Sequence, residues 1–227
     1  MRTIIIGDIH GCLDELIALF DKLAPSESDR VVSVGDIVRK GPDPVGCLDL
    51  WKQRGYLAVQ GNHETRVLDR RGQLLQRYFG DDSPLLRRLD LIEWMEKWPK
   101  FLRFEAERII VVHGGVLPDG LDAMSSDARE HWLPRLRYVR RTPDGWQPMS
   151  KSESLPDDQF WTSLWNGPET VVYGHTPRTT LQRDRFAIGI DTGCVYGNEL
   201  TAAVFEQSDW SFVSVKAKRA YAVRSGE

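Results

Sequence analysis

Four of the five histidines in this sequence stand beside Asp, Asn or Gly in short polar segments that follow apolar runs. The segments are Gly7-Asp8-Ile9-His10-Gly11, the stretch from Gly35-Asp36 to Gly41, Gly61-Asn62-His63-Glu64, His113-Gly114-Gly115 and Gly174-His175-Thr176. Asp8 and His10 are two residues apart, so both can face one point. Asp36 can bridge two cations, and Asn62, His113 and His175 add neutral oxygen and nitrogen donors. Carboxylate, imidazole and amide oxygen together suit manganese, iron or zinc better than the all-oxygen sphere of calcium or magnesium. Two such cations roughly 3.5–4 Å apart activate a water and clamp a phosphoryl oxygen. His63, beside Asn62 but facing elsewhere, is placed to protonate a leaving oxygen. The chemistry these residue types point to is phosphoester hydrolysis. One Gly-Asp pair alone would read as a turn; five ordered segments read as a site.

For those residues to meet, they must sit at the ends of neighbouring strands. Thr3 to Ile6, Val31 to Val34 and Tyr56 to Val59 read as short strands, each leading into a Gly and then a ligand type. Between them, Leu13 to Leu23 has helical apolar spacing, and Pro44 to Trp51 opens with a Pro suited to a first helical turn. This β-α-β-α-β order implies parallel strands with crossovers, whose ligands collect beyond the carboxyl ends. Glu64 to Trp98 reads as helical and Arg-rich, divided at Gly80-Asp81-Asp82 and Pro84. Phe101 to Phe104 and Ile109 to Val112 read as a hairpin, residues 117–168 as irregular, and Thr170 to Tyr173 as a strand. Phe186 to Ile190, Thr201 to Phe205 and Phe212 to Val215 read as antiparallel strands. The pattern predicts one domain over 1–227 with a helical cap insert at about 65–98.

The bulk numbers agree with an enzyme of this size. The chain has 227 residues, is 41% hydrophobic and contains eight Trp, which suffices for a sizeable core. A formal charge of −3 argues against a sequence-specific nucleic-acid partner. Three cysteines without CxxC spacing argue against a disulfide framework. No apolar run approaches the roughly 18 residues of a membrane span, and the N-terminus lacks a leader pattern. A cytoplasmic location and no membrane partner are expected; oligomeric state is not legible.

Taken together, GDIHG, GDIVRKG, GNHE, HGG and GH resemble the calcineurin-like metallophosphoesterases, specifically the PPP phosphatase group. The resemblance covers nearly the whole chain. It implies an α/β (α+β) fold, a four-layer αββα sandwich of two mixed sheets with a small helical cap. It implies that Asp8, His10 and Asp36 hold one divalent ion and that Asp36, Asn62, His113 and His175 hold a second. Manganese is the expected metal, with cobalt, iron, zinc, nickel or magnesium as alternatives. His63 and Asp36 would be the catalytic pair. GDIVRKGPD, the RLRYVRR stretch at 135–141 and the tail DTGCVYGNELTA at 191–202 are similar to ApaH-like phosphatases and symmetrical diadenosine tetraphosphate hydrolases. Where PPP protein phosphatases carry Asp and Arg, this chain has Arg39 and Lys40. The resemblance therefore leaves His63 without its usual Asp partner, with Glu64 or a backbone carbonyl as substitutes. Lys40 replaces a bidentate phosphate clamp by a point charge.

Phosphate-binding candidates are Lys40, Arg137, Arg135, Arg66 and Arg70, with Arg137 preferred over Arg135. Arg66 and Arg70 are four apart and share a helix face that follows GNHE. Trp and Tyr residues in 132–165 are candidates to stack an adenine or to fill the core. The expected substrate is a nucleoside polyphosphate, diadenosine tetraphosphate being cut symmetrically to two ADP by in-line attack of a metal-bound hydroxide. A Ser/Thr or Tyr phosphoprotein phosphatase is the alternative. A non-catalytic metal-binding scaffold is more remote, because no ligand position is lost.

Overall fold

The computed structural model describes residues 1–68, 84–150 and 152–224. Its layers follow from short strands that are apolar on both faces. In β1 (Thr3–Ile6), Ile4 and Ile6 face one core while Ile5 faces another, as side chains of a strand alternate. A strand buried on both sides must lie inside a stack. From edge to edge, its sheet contains β13 (Asp209–Lys216), β12 (Glu199–Glu206), β1, β2 (Arg30–Ser33) and β3 (Leu57–Ala58). A second mixed sheet contains β10 (Gln182–Arg183), β11 (Ala187–Gly189), β9 (Thr170–Tyr173), β5 (Ile109–Val112) and β4 (Phe101–Phe104). Ile5, Val32, Val34, Val111, Val172 and Ile188 pack between the two sheets. Each such side chain contributes about 1.5–3 kcal/mol relative to exposure.

Helices α1 (Leu13–Leu23) and α2 (Pro44–Gln53) cover the outer face of the first sheet. The Asp43 side chain accepts the Gly46 N–H at 2.7 Å and Pro44 opens α2, so cap and φ restriction both fix its start. Trp51 of α2 is fully buried against Phe20 and Tyr56. The predicted insert lies partly outside the described residues. Its described parts are α3 (Asn62–Leu68), a 3-10 turn at Pro84–Arg87 and α4 (Leu89–Glu96). Leu85, Leu91 and Met95 enter the same core as Trp51, so α4 belongs to the helical layer rather than standing off as a cap. The predicted division at Gly80-Asp81-Asp82, together with Arg70, Arg71 and Arg77, lies outside the described residues.

Two expectations need correction. The stretch 117–168 is not irregular. It holds α5 (Ser126–Trp132), whose N-cap Ser125 accepts the Ala128 N–H at 3.1 Å. It also holds a small sheet in the order β7 (Gly145–Met149), β6 (Tyr138–Thr142), β8 (Gln159–Phe160). These strands are mostly half-exposed and mix charges with apolar residues, which blurs the alternation that announces a strand. With α5, they form the layer outside the second sheet. Further, β11 is not part of an antiparallel run: it pairs parallel to β9 and antiparallel only to β10. Alternation identifies a strand but carries no information on its partner's direction. Trp161 and Trp165 are buried beneath this layer, with Trp132 and Trp146 packed against the same core. Trp161 and Trp165 spend their rings on the core.

Candidate metal centre

β1, β2 and β3 run parallel, and β5, β9 and β11 run parallel in the other sheet. Six carboxyl ends therefore converge at one edge of the stack, three from each sheet. Asp8 follows β1, Asp36 follows β2 and Asn62 follows β3; His113 follows β5, His175 follows β9 and Asp191 follows β11. The sequence pattern had singled out five of these six. Asp191 was quoted only within the tail motif; the signal that could have found it is another strand end, Ile188-Gly189-Ile190, leading into Asp-Thr-Gly.

The backbone around these ends is held in unusual conformations. His10, Asp36, Arg39, Lys40 and His175 all have positive φ, between 49° and 72°. For residues with a Cβ this costs about 1–2 kcal/mol each, so the surroundings must enforce it. They do so by lacing the loops together. The His10 N–H donates to Asp36 O at 2.7 Å, Gly11 N–H to Ile37 O at 2.8 Å, and Gly41 N–H to His10 O at 2.8 Å. Glu64, fully buried, accepts the N–H groups of Asp36 (2.7 Å), Gly61 (2.9 Å) and Val38 (3.1 Å). Burial and the Asp36 charge push its carboxyl up to about 7. Glu64 thus fixes the Asp36 loop and does not orient the His63 ring. Gly174 is required sterically, since a Cβ there would strike Asp8 Oδ1.

The side chains meet around Asp36. Its Oδ2 lies 3.3 Å from His113 Nε2, 3.6 Å from His10 Nε2 and 3.8 Å from His63 Nε2. Asp8 Oδ2 is 4.0 Å from His10 Nε2. Asn62 Oδ1 is 3.1 Å from His113 Nε2 and 2.8 Å from His175 Nδ1. The far nitrogens of two rings are tied down: His10 Nδ1 to Val38 O at 3.1 Å and His113 Nδ1 to Val34 O at 2.9 Å. A ring that donates from Nδ1 presents its Nε2 lone pair to the centre, as a metal-binding imidazole must.

Electrostatics show that this donor set fits divalent cations. Burial pushes the Asp8 carboxyl well above its ordinary value, with the Asp191 charge adding to it. Burial likewise raises Asp191 to about 6. Asp36 is held well below its ordinary value because His113, His63 and His10 outweigh its burial. His113 rises to about 9, since Asp36 and Asp8 outweigh burial. Burial lowers His10 to about 4 and His63 to about 2. Asp8, Asp36 and Asp191 are buried close enough to repel one another, and a divalent ion would relieve that repulsion. The Lys40 ammonium already stands 3.0 Å from His10 Nε2, as a cation would. Asp8, Asp36 and His113 form one compact group of ligand atoms, and His10, Asp36 and His63 form another; in each group all atoms lie within 4.8 Å of one another.

These residues floor a cavity of about 660 Å³. Its rim is basic: Arg39, Lys40, Arg66, Arg137, Arg178 and Arg224, with Tyr138 and Tyr196 between them. Among the predicted phosphate binders, Lys40, Arg66 and Arg137 line it. Arg135 does not: its guanidinium reaches the His131 ring at 3.5 Å, and its backbone packs on Gly114. Arg88 of the Arg-rich insert forks onto Asp49 and Asp90. Arg137 is held from behind, donating to His175 O at 2.9 Å and Thr176 Oγ1 at 3.3 Å. Tyr196, Arg178 and Arg224 were not foreseen, because no spacing links them to the motifs. Position 39 is Arg, and the His63 Nδ1 atom is buried with no hydrogen-bond partner among the described residues.

A profile described as calcineurin-like phosphoesterase matches residues 1–212. The chain is 28% identical over 247 residues to an Oceanobacillus iheyensis protein named bis(5'-nucleosyl)-tetraphosphatase PrpE, asymmetrical, covering 97% of this chain and 94% of that one. It is also 28% identical over 259 residues to a Citrobacter koseri protein named bis(5'-nucleosyl)-tetraphosphatase, symmetrical, covering 91% and 92%. A crystal structure of a provisionally named diadenosine tetraphosphatase superposes with a TM-score of 0.81 at 33% identity, covering 95% and 93%. A metallophosphoesterase from Sphaerobacter thermophilus shares the fold, with a TM-score of 0.61 at 19% identity.

Proposed function

The chain belongs to the calcineurin-like phosphoesterases, and from that premise we propose that it hydrolyses a dinucleoside polyphosphate, cutting diadenosine tetraphosphate into two ADP. The observation that carries this reading is the division of charge in the cavity. All its acids are on the floor, and six basic residues stand on the rim. Such a rim suits a ligand with several negative charges along its length.

Asp8, His10 and Asp36 would hold one divalent ion, and Asp36, Asn62, His113 and His175 the other, manganese being our first choice. When bound, the ions supply an activated water and neutralise charge on the attacked phosphoryl group. The chain's own residues do the rest. Glu64 holds the Asp36 loop in its strained form. Arg137, immobilised by His175 O and Thr176, offers its remaining N–H groups to a phosphate oxygen. Lys40 and Arg66 add charge along the chain. His63 donates a proton to the leaving oxygen from Nε2.

That last role favours an anhydride. With no acceptor at Nδ1 among the described residues, and with burial lowering its pKa, His63 carries little of the imidazolium form near neutral pH and so has few protons to give. ADP leaves through a weakly basic phosphate oxygen and needs little protonation, whereas a serine alkoxide needs much. The test is product analysis by anion exchange with manganese present. Two ADP are expected from diadenosine tetraphosphate. AMP plus ATP would replace the symmetrical cut by the asymmetrical one. Turnover of a phosphopeptide beside an inert dinucleotide would overturn the reading in favour of a phosphoprotein phosphatase.

A further inference from the structure

A nucleoside polyphosphate of drug-like size fills one cavity of a few hundred Å³, and a dinucleotide carries a second nucleoside that must lie elsewhere. The structure holds a second cavity of about 370 Å³, and Lys40 lines both. Its walls are Lys40, Gly41 and Pro42 on one side and Arg219, Ala220 and Tyr221 on the other. Two of these six residues are cationic and none is acidic.

Both walls are built rather than loose. Lys40 is held at a φ of 67°, with Gly41 N–H bonded to His10 O behind it. Across the cavity, the Tyr221 O–H donates to Glu15 Oε1 at 2.8 Å, and the Lys218 N–H donates to the same oxygen at 2.9 Å. Glu15 lies in the core of the fold, so it anchors this segment from inside. Tyr221 and Ala222 also donate their N–H groups to Val195 O, and Ala220 bridges to Tyr196. The exposed Arg219 guanidinium lies over the Tyr221 ring, 5.3 Å from its centroid. A planar cation resting on an aromatic ring is a surface on which a purine stacks. Lys40 Nζ contacts both His10 Nε2 and Tyr196 Oη, so it stands at the passage between the centre and this platform.

We propose that this second cavity is the subsite for the far nucleoside of the substrate: the phosphate chain leaves the centre past Lys40, and a purine base stacks on Arg219. The inference rests on the dinucleotide reading above and adds where the second purine nucleoside binds.

The test is competition rather than turnover. Hydrolysis of p-nitrophenyl phosphate by the full chain with manganese is inhibited by diadenosine tetraphosphate in one series and by inorganic tripolyphosphate in another. The readout is the ratio of the two inhibition constants, for wild type, Arg219→Ala and Arg219→Lys. The Arg219→Ala variant is expected to weaken the dinucleotide relative to tripolyphosphate by about tenfold. Arg219→Lys keeps the charge but loses the planar face, so it should shift the ratio in the same direction. An unchanged ratio in Arg219→Ala overturns the subsite, as does an equal loss for both inhibitors, which would make Arg219 a mere source of charge. Because inhibition reads binding, wild type that is inhibited by diadenosine tetraphosphate without cleaving it would sink the proposed reaction and leave the subsite standing.

Discussion

The floor and the rim of the main cavity are built in opposite ways. On the floor, Asp8, His10, Asp36 and His113 are buried, and most of their polar atoms are tied to a strand end or a neighbouring loop. The rim is partly exposed and drawn from chain segments with no common pattern: the 39–40 loop, the last turn of α3, residues 137–138, the 178 loop and the C-terminal stretch at 224. A floor fixed by cooperative contacts tolerates little change and suits the step every family member shares. A rim of independent side chains can be altered piece by piece, which is where substrate preference is expected to reside. Relatives named for symmetrical and for asymmetrical cleavage match this chain equally well in sequence, as that division of labour would allow.

Three substitutions probe the contrast, beginning with the most severe. Asp36→Asn keeps the shape but removes the charge shared by His10, His63 and His113. Steady-state assays should show turnover reduced by about a thousandfold or more, on any phosphoester, because both proposed ions would lose their shared anionic ligand. Retained activity would break the bridging assignment. Glu64→Ala touches no phosphate, yet it strips the acceptor from three buried N–H groups. At about 1–3 kcal/mol for an unsatisfied buried group, a loss near 3 kcal/mol is expected from the denaturation midpoint, with activity falling alongside. If stability is unchanged, the floor is not the cooperative unit described here. Arg137→Lys is the mildest. The charge remains while the paired N–H groups are lost, so KM for diadenosine tetraphosphate should rise about five- to tenfold with a smaller change in kcat. An effect confined to kcat would move Arg137 from the rim to the reacting atoms.

How much of this was legible in the sequence follows the same line. The candidate floor ligands were readable because each lies within four residues past an apolar run, and local spacing survives in the one-dimensional record. Arg137 was preferred over Arg135, but two basic residues two positions apart carry no local signal of which one faces a cavity. Only the packing of the 135 backbone on Gly114 turns one away from the cavity. The strands of 138–160 escaped detection because their half-exposed faces carry charges.

Residue type and short-range periodicity were enough to mark the candidate metal-binding segments with their histidines, and the parallel β-α-β-α-β half. The tertiary structure alone decided that a second parallel trio brings Asp191 to the same edge, that Glu64 serves the loop and not His63, and that Lys40 stands between two cavities. Each of those depends on which chain segments become neighbours across the two sheets, a contact between residues tens to nearly two hundred positions apart that no local spacing encodes.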